Sequence, residues 1–335
     1  MSSRRTILVL DPFASVARIE AALGEDAEHF EVRAAASLPP AGEVFAVLLG
    51  PESPMTEAEV ANLTGLRIVS VSSTGYDHVP VSAVTAAGAW VSTAAGYCTD
   101  EVAEHTVALI LAGLRGIPAL DASVRRGDWD VTLNGPKRIR GAVVGLVGFG
   151  RIAQAVAGLL GSLGVVVQAY DPLTPAAAFE RLGVSRAGSV EAALQNADAV
   201  SLHVPLMPDT RHLIDSSRLA LLRPGTFLVN VARGALLDID ALCDAVESGQ
   251  LSGAGLDVFE HEPLVQNARV RRVPGVLLSP HGAWYSDEAE TRLFQMATGS
   301  ILDVFHGRAP AGAVAAPETH APHAPVALTH TRIPA

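Results

Sequence analysis

A chain of 335 residues with 49% hydrophobic side chains is too long for most single cores and suits two domains. Aromatics are only 5%, so those cores must be built from Ala, Val and Leu. The formal charge of −11 argues against nucleic acid and anionic membranes as main partners. An anionic ligand would have to be held by backbone amides and a few arginines.

Short apolar runs begin at Ile7–Leu10 and recur at Val44–Leu49, Ile68–Val71 and Trp90–Ser92, with a helical pattern over Ala14–Leu23. That alternation is the grammar of parallel β-α-β units. Thr99–Gly113 reads as a helix: Thr99 or Asp100 can cap it, and Val102, Thr106, Leu109 and Ile110 form its apolar stripe. Arg115–Pro136, which contains Trp129, reads as a connection. The pattern restarts at Val143–Val147 and continues through Val165–Tyr170, Ala199–His203, Phe227–Val231, Gly255–Val258 and Val276–Leu278. Ser286-Asp287-Glu288 opens a last helix that stops at Gly307, and Pro310–Ala335 reads as a disordered tail. Its histidines, His320, His323 and His330, read as solvated.

Two cysteines, Cys98 and Cys243, lie far apart with no second cysteine beside either. Neither a disulfide framework nor a zinc site is expected, which fits a reducing cytoplasm. Met1–Arg5 runs straight into a strand rather than a signal-peptide core. No stretch approaches about eighteen uninterrupted apolar residues, so no membrane span is expected.

Gly148-Phe149-Gly150-Arg151-Ile152-Ala153 follows an apolar strand and opens a helical pattern. This is the setting of a dinucleotide turn. Gly148 permits the tight turn, Gly150 lets backbone approach a pyrophosphate, and Ala153 lets helix and strand pack closely. Arg151 adds a cation, and Ile152 completes the turn. Asp171 ends the next strand about twenty residues on, where a carboxylate hydrogen-bonds ribose hydroxyls and repels a 2′-phosphate. NAD is therefore expected rather than NADP.

Three residues then follow strand ends in order: Arg233, Glu262 and His281. In parallel sheets ligands bind outside the carboxyl ends of strands. An arginine there can fork onto a 2-oxo group and its carboxylate. A histidine that moves a proton needs its second nitrogen held, and a carboxylate does that. His212 and His261 read as surface histidines, His105 as a helix residue beside Glu104 without the spacing of a zinc site, and His203 as a cofactor neighbour that does not react.

The ordered set resembles the D-isomer-specific 2-hydroxyacid dehydrogenases. The likeness lies in Ser73–Asp77, Val102–Thr106, Gly148–Ala153, Ser201–Leu206 with Thr210, Asn230–Gly234, Asp257–Pro263 and Pro280–Trp284. Within the family the Pro280–Ser286 stretch looks most like the C-terminal-binding protein and D-lactate dehydrogenase branches. The resemblance implies an α/β fold of two doubly wound Rossmann-like domains with a cleft between them. A flavodoxin-like substrate domain would take residues 1–113 and 286–309, and the NAD-binding domain 114–285. It implies NAD contacts from Thr106, Val204, Pro205, Thr210, Val231, Ala232, Arg233, Asp257, His281 and Gly282, with Asp257 on the nicotinamide carboxamide. Ser73, Thr74 and Gly75 would offer amides to the acid group of a small anionic substrate, and Trp284 would wall the pocket. Val71 stands where C-terminal-binding proteins carry a second arginine, which leaves the substrate open.

The expected activity is reversible hydride transfer between NAD and a small D-2-hydroxy acid, in a cytoplasmic homodimer without a metal. The alternatives are a dehydrogenase of a phosphonate or another unusual anion, and an NAD-sensing corepressor-like binding protein.

Overall fold

The computed structural model describes residues 4–133 and 135–318; the tail histidines lie outside that range. The chain forms two compact units, residues 1–97 with 286–335 and residues 98–285.

In the first unit, strands lie in the order Ala313–Ala315, Trp90–Thr93, Ile68–Val71, Ala46–Leu49, Arg5–Leu10, Phe30–Ala34. The five from Phe30–Ala34 to Trp90–Thr93 are parallel. Taken in sequence, their order is 2-1-3-4-5, that of flavodoxin-like sheets. Ala46–Leu49 and Ile68–Val71 are buried throughout, as strands covered on both faces must be; the first is an unbroken apolar run, and in the second the buried Ser70 hydroxyl donates to Ala297 carbonyl at 2.8 Å. The helix Asp287–Phe305 starts at Ser286, whose hydroxyl accepts from Ala289 N–H, with Asp287, Glu288 and Glu290 in its positive first turn. It packs through Leu293, Phe294, Ala297 and Ile301.

The second unit is a seven-stranded sheet: Ser185–Arg186, Val166–Tyr170, Val143–Val147, Ala199–Leu202, Thr226–Asn230, Leu251–Leu256, Val276–Leu278. All its pairings are parallel. The order 3-2-1-4-5-6 with one added strand is that of a dinucleotide-binding sheet, reversing direction between Val143–Val147 and Ala199–Leu202.

Several expectations change. The boundary falls after Tyr97, not near 113, because the helix Thr99–Leu114 packs on the second sheet and on the helix Arg151–Ser162. Neither Thr99 nor Asp100 caps it; Cys98 occupies that position without a side-chain cap. The connection after Arg115 contains a helix, Ile117–Arg126, entered through Pro118 and closed by Gly127. Proline is at home in a first turn, and only Ser123 is buried, so no apolar stripe announces this helix. The strand expected at Gly255–Val258 spans Leu251–Leu256; its Ser252–Gly255 composition suggests a turn, yet Leu109 packs directly over Gly255. Part of the expected tail is ordered, since Ala313–Ala315 pairs antiparallel with Trp90–Thr93. No single described helix is long and apolar enough to cross a membrane.

Candidate active site

The dinucleotide turn joins the strand Val143–Val147 to the helix Arg151–Ser162. Gly148 has φ +96°, and a Cβ there would lie 2.5 Å from the His203 carbonyl oxygen and 3.0 Å from a Val204 methyl. Only glycine fits both the dihedral and the space. Gly150 precedes the helix with no side-chain cap, and a Cβ on it would meet nothing within 4 Å. The first N–H groups of that helix are thus left to a ligand, at the positive end of its dipole.

Asp171 accepts from Phe149 N–H at 2.8 Å through one oxygen. Its other oxygen accepts from Leu173 and Thr174 N–H at 2.8 and 2.9 Å. A carboxylate has about four acceptor positions, so one is left for a ribose hydroxyl. Pro205 and Thr210 close a turn beyond the neighbouring strand, the Thr210 hydroxyl donating to Pro205 carbonyl at 2.8 Å. His203 lies 2.9 Å from the Ser201 hydroxyl, and burial pushes its imidazole down to about 4. Cradle, open helix end and remaining acceptor together fit a dinucleotide.

The next three strand ends carry the expected catalytic set. After Thr226–Asn230, the buried Asn230 amide donates to Arg233 carbonyl at 2.9 Å and accepts from Ala232 N–H at 3.1 Å. This fixes the turn through Val231 and Ala232, and Arg233 guanidinium donates back to Ala232 carbonyl at 2.8 Å. Behind it, a Cβ on Gly234 would lie 1.9 Å from Phe259 C and 2.2 Å from Glu260 N. The Arg233 turn and the segment leading to Glu262 are therefore pressed backbone to backbone.

Glu262 accepts from Phe259 N–H at 2.7 Å through one oxygen. Its other oxygen meets His281 Nδ1 at 2.7 Å. Burial raises its carboxyl, but the bond to His281, the imidazole charge, the Phe259 amide and the Arg233 charge together hold it below the usual glutamate value. A carboxylate can only accept, so Nδ1 carries the proton and Nε2 is the nitrogen free to exchange one. The two side chains are 38% and 33% exposed, so the pair is reachable by a substrate. His281 sits at φ +54°, a left-handed conformation that costs about 1–3 kcal/mol and clusters at functional positions.

Asp257, only 1% exposed, organises that loop. It accepts from Ser279 hydroxyl at 2.6 Å, Gly282 N–H at 2.9 Å and Ala283 N–H at 3.0 Å, and its carbonyl accepts from His281 N–H at 2.7 Å. Trp284 lies in the same unit, edge-on to Tyr285 at 5.4 Å. Thr106 is wholly buried, with its hydroxyl on Val102 carbonyl at 2.6 Å. Its hydroxyl is thus engaged within its own helix.

Ser73, Thr74 and Gly75 belong to the first unit, at the carboxyl end of Ile68–Val71. The hydroxyl-rich look of this loop is partly spent internally. Ser72 donates to Asp11 and Ser73 to Gly75 carbonyl at 2.6 Å, while Thr74 is exposed. Asp11 is itself buried, and burial raises its carboxyl despite the Ser72 and backbone bonds.

Sequence reasoning missed Ser279, and it gave Asn230, Gly234 and His105 no role of their own although they lie in the stretches that carry the likeness. His105 reads from the sequence as an ordinary helix residue beside Glu104, yet its Nε2 lies 3.1 Å from Ser279 Oγ. Among the described residues no group of three His, Cys, Asp or Glu could hold a metal.

Comparison places this geometry in a family. The model of the D-isomer specific 2-hydroxyacid dehydrogenase NAD-binding domain matches residues 107–283. A glyoxylate reductase of Thermofilum pendens is 37% identical over 268 residues, 76% of each chain. A D-3-phosphoglycerate dehydrogenase of Mycobacterium bovis is 40% identical over 237 residues, 70% of this chain but only 44% of that one. The crystal structure of the TT0316 protein from Thermus thermophilus superposes with a TM-score of 0.81 at 31% identity, covering 92% of this chain and 100% of the other. The chain belongs to the D-isomer specific 2-hydroxyacid dehydrogenases. It is an NAD-binding oxidoreductase of hydroxy and oxo acids.

Proposed function

We propose that His281, Glu262 and Arg233 interconvert a small 2-oxo acid and its D-2-hydroxy acid. The observation that carries this is the 2.7 Å bond between His281 Nδ1 and Glu262, set at adjacent strand ends with Arg233 charge acting on the same carboxylate. When bound, NAD supplies or accepts the hydride. In reduction, His281 gives its Nε2 proton to the carbonyl oxygen, and Glu262 offsets the imidazolium charge and keeps the ring in place. Arg233 orients and polarises the carbonyl. In oxidation the proton returns to Nε2. Gly148, Gly150, Arg151, Ile152 and Asp171 hold the pyrophosphate and ribose end. Val204, Pro205, Thr210, Val231, Ala232, Asp257 and Gly282 line the rest, and Ser73, Thr74, Gly75 and Trp284 meet the substrate. Relatives named as glyoxylate reductases favour a 2-oxo acid with a small side chain.

The test is NADH oxidation against a panel of 2-oxo acids, with NAD reduction on hydroxy acids and hydroxyphosphonates. His281→Ala is expected to lower kcat by about 10³-fold while NADH affinity stays within about threefold. A near-normal rate in that variant overturns the assignment.

We extend the proposal to a cytoplasmic homodimer. Both cysteines are buried thiols outside any disulfide, as a reducing compartment requires. Within the second unit, Ile117, Val124, Trp129 and Val131 are 54–87% exposed, apolar side chains that a second copy would cover. Sedimentation of wild type and Trp129→Glu tests it; a monomeric wild type refutes the dimer.

A further inference from the structure

We propose that His105 is a positioning residue for the His281 loop, acting through Ser279 and Asp257. Its functional meaning rests on the acid–base role given to His281 above, but its geometry stands independently.

The hydrogen-bond chain has one direction. Asp257 Oδ1 receives Gly282 N–H at 2.9 Å and so acts as an acceptor. Ser279 has a single hydroxyl proton, and it goes to the same Oδ1 at 2.6 Å. Toward His105, 3.1 Å away, Ser279 Oγ can then only accept. His105 Nε2 therefore donates. The imidazole also stands 3.9 Å from Asp257 Oδ1, on the side of the helix Thr99–Leu114 that faces the sheet.

The His281 loop depends on Asp257. Three of its amides, those of His281, Gly282 and Ala283, bond to this one residue. His281 is held at φ +54°, a conformation that persists only where surroundings over-determine it. The Ser279 hydroxyl is the rotor in the assembly. With a donor at its lone pair, that rotor has one orientation, and the bond to Asp257 is strengthened by polarisation along the chain. Without the donor, Ser279 can turn away, Asp257 loses the hydroxyl that braces it, and the loop relaxes. His105 is 31% exposed, so a leucine there is not a core substitution.

The experiment compares His105→Leu with His105→Gln in the full chain. Glutamine restores an N–H donor and leucine does not. Four quantities are read: kcat and KM for the 2-oxo acid, amide hydrogen exchange at residues 281–283, and melting temperature. His105→Leu is expected to lower kcat about tenfold with KM within about threefold, and to speed exchange at Gly282 and Ala283 about tenfold. His105→Gln is expected to return both to within about threefold of wild type. The proposal is overturned if His105→Leu leaves exchange at these amides unchanged. It is also overturned if glutamine is as damaging as leucine and exchange rises throughout the unit. Turnover that survives His281→Ala would sink the acid–base assignment instead, while the exchange readout would still decide the role of His105.

Discussion

Gly234→Ala probes the construction of the site with a single methyl group. The new Cβ would sit 1.9 Å from Phe259 C, 2.2 Å from Glu260 N and 2.4 Å from Phe259 Cα. Unbonded carbons need roughly 3.4 Å or more for comfort, and the obstacle is backbone, which cannot swing aside like a side chain. Gly234 has no left-handed φ, so the effect is steric and not conformational. One of the two segments must move by at least about 1 Å. On one side lies Arg233; on the other, Phe259, whose N–H holds Glu262 at 2.7 Å. A displacement of about 1 Å in catalytic groups costs about 10²-fold in rate, and overpacking costs about 1–3 kcal/mol of stability. For a domain of this size that lowers the melting temperature by about 3–10 °C. Steady-state kinetics with thermal unfolding measure both, and NADH affinity should suffer less than kcat/KM. Gly161→Ala is the control: it lies in the helix Arg151–Ser162, where a Cβ meets nothing within 4 Å, and is expected to be neutral or stabilising by about 0.5–1 kcal/mol. A Gly234→Ala enzyme with kcat/KM within twofold of wild type and an unchanged melting temperature refutes the packing argument.

Glu262→Gln keeps the shape and removes the charge that offsets the imidazolium; kcat is expected to fall by about 10²–10³-fold, with melting temperature within a few degrees, and a variant within threefold of wild type would show that this charge is idle. In the wild type the Glu262 carboxyl lies below its ordinary value. Its contribution to stability is therefore present above about pH 4.5 and is lost only as pH falls through the lower folded value. His203 acts over a neighbouring window. Its folded value is about 4 against an ordinary 6.5, so the unfolded chain takes up a proton first as pH falls. Stability tied to it is complete above about 6.5 and is lost between there and about 4, amounting to about 2 kcal/mol once its partial exposure is allowed for. Denaturant unfolding of wild type and His203→Asn across this range checks it; identical pH slopes would contradict a neutral imidazole in the folded state.

What the chain discloses about itself divides by the range of the interaction. The parallel strands are legible because burial on both faces forces unbroken runs such as Ala46–Leu49 and Val143–Val147. The dinucleotide turn is legible because its demands fall on neighbouring residues, Gly148 and Gly150. Arg233, Glu262 and His281 are legible as chemistry at strand ends, though nothing local says that they meet. By contrast, the helix Ile117–Arg126 buries too little to leave a period, and the position of the helix Thr99–Leu114 depends on a sheet formed more than twenty-five residues later. His105 shows the difference most sharply. Beside Glu104 on a helix it is an ordinary polar residue, and its partner Ser279 is 174 positions away. Only the folded sheet fixes which ring nitrogen donates and brings the Ser279 oxygen that accepts. The reactive residues of such a site are thus written in short motifs, while those that hold them in place are set by long-range packing that no motif records.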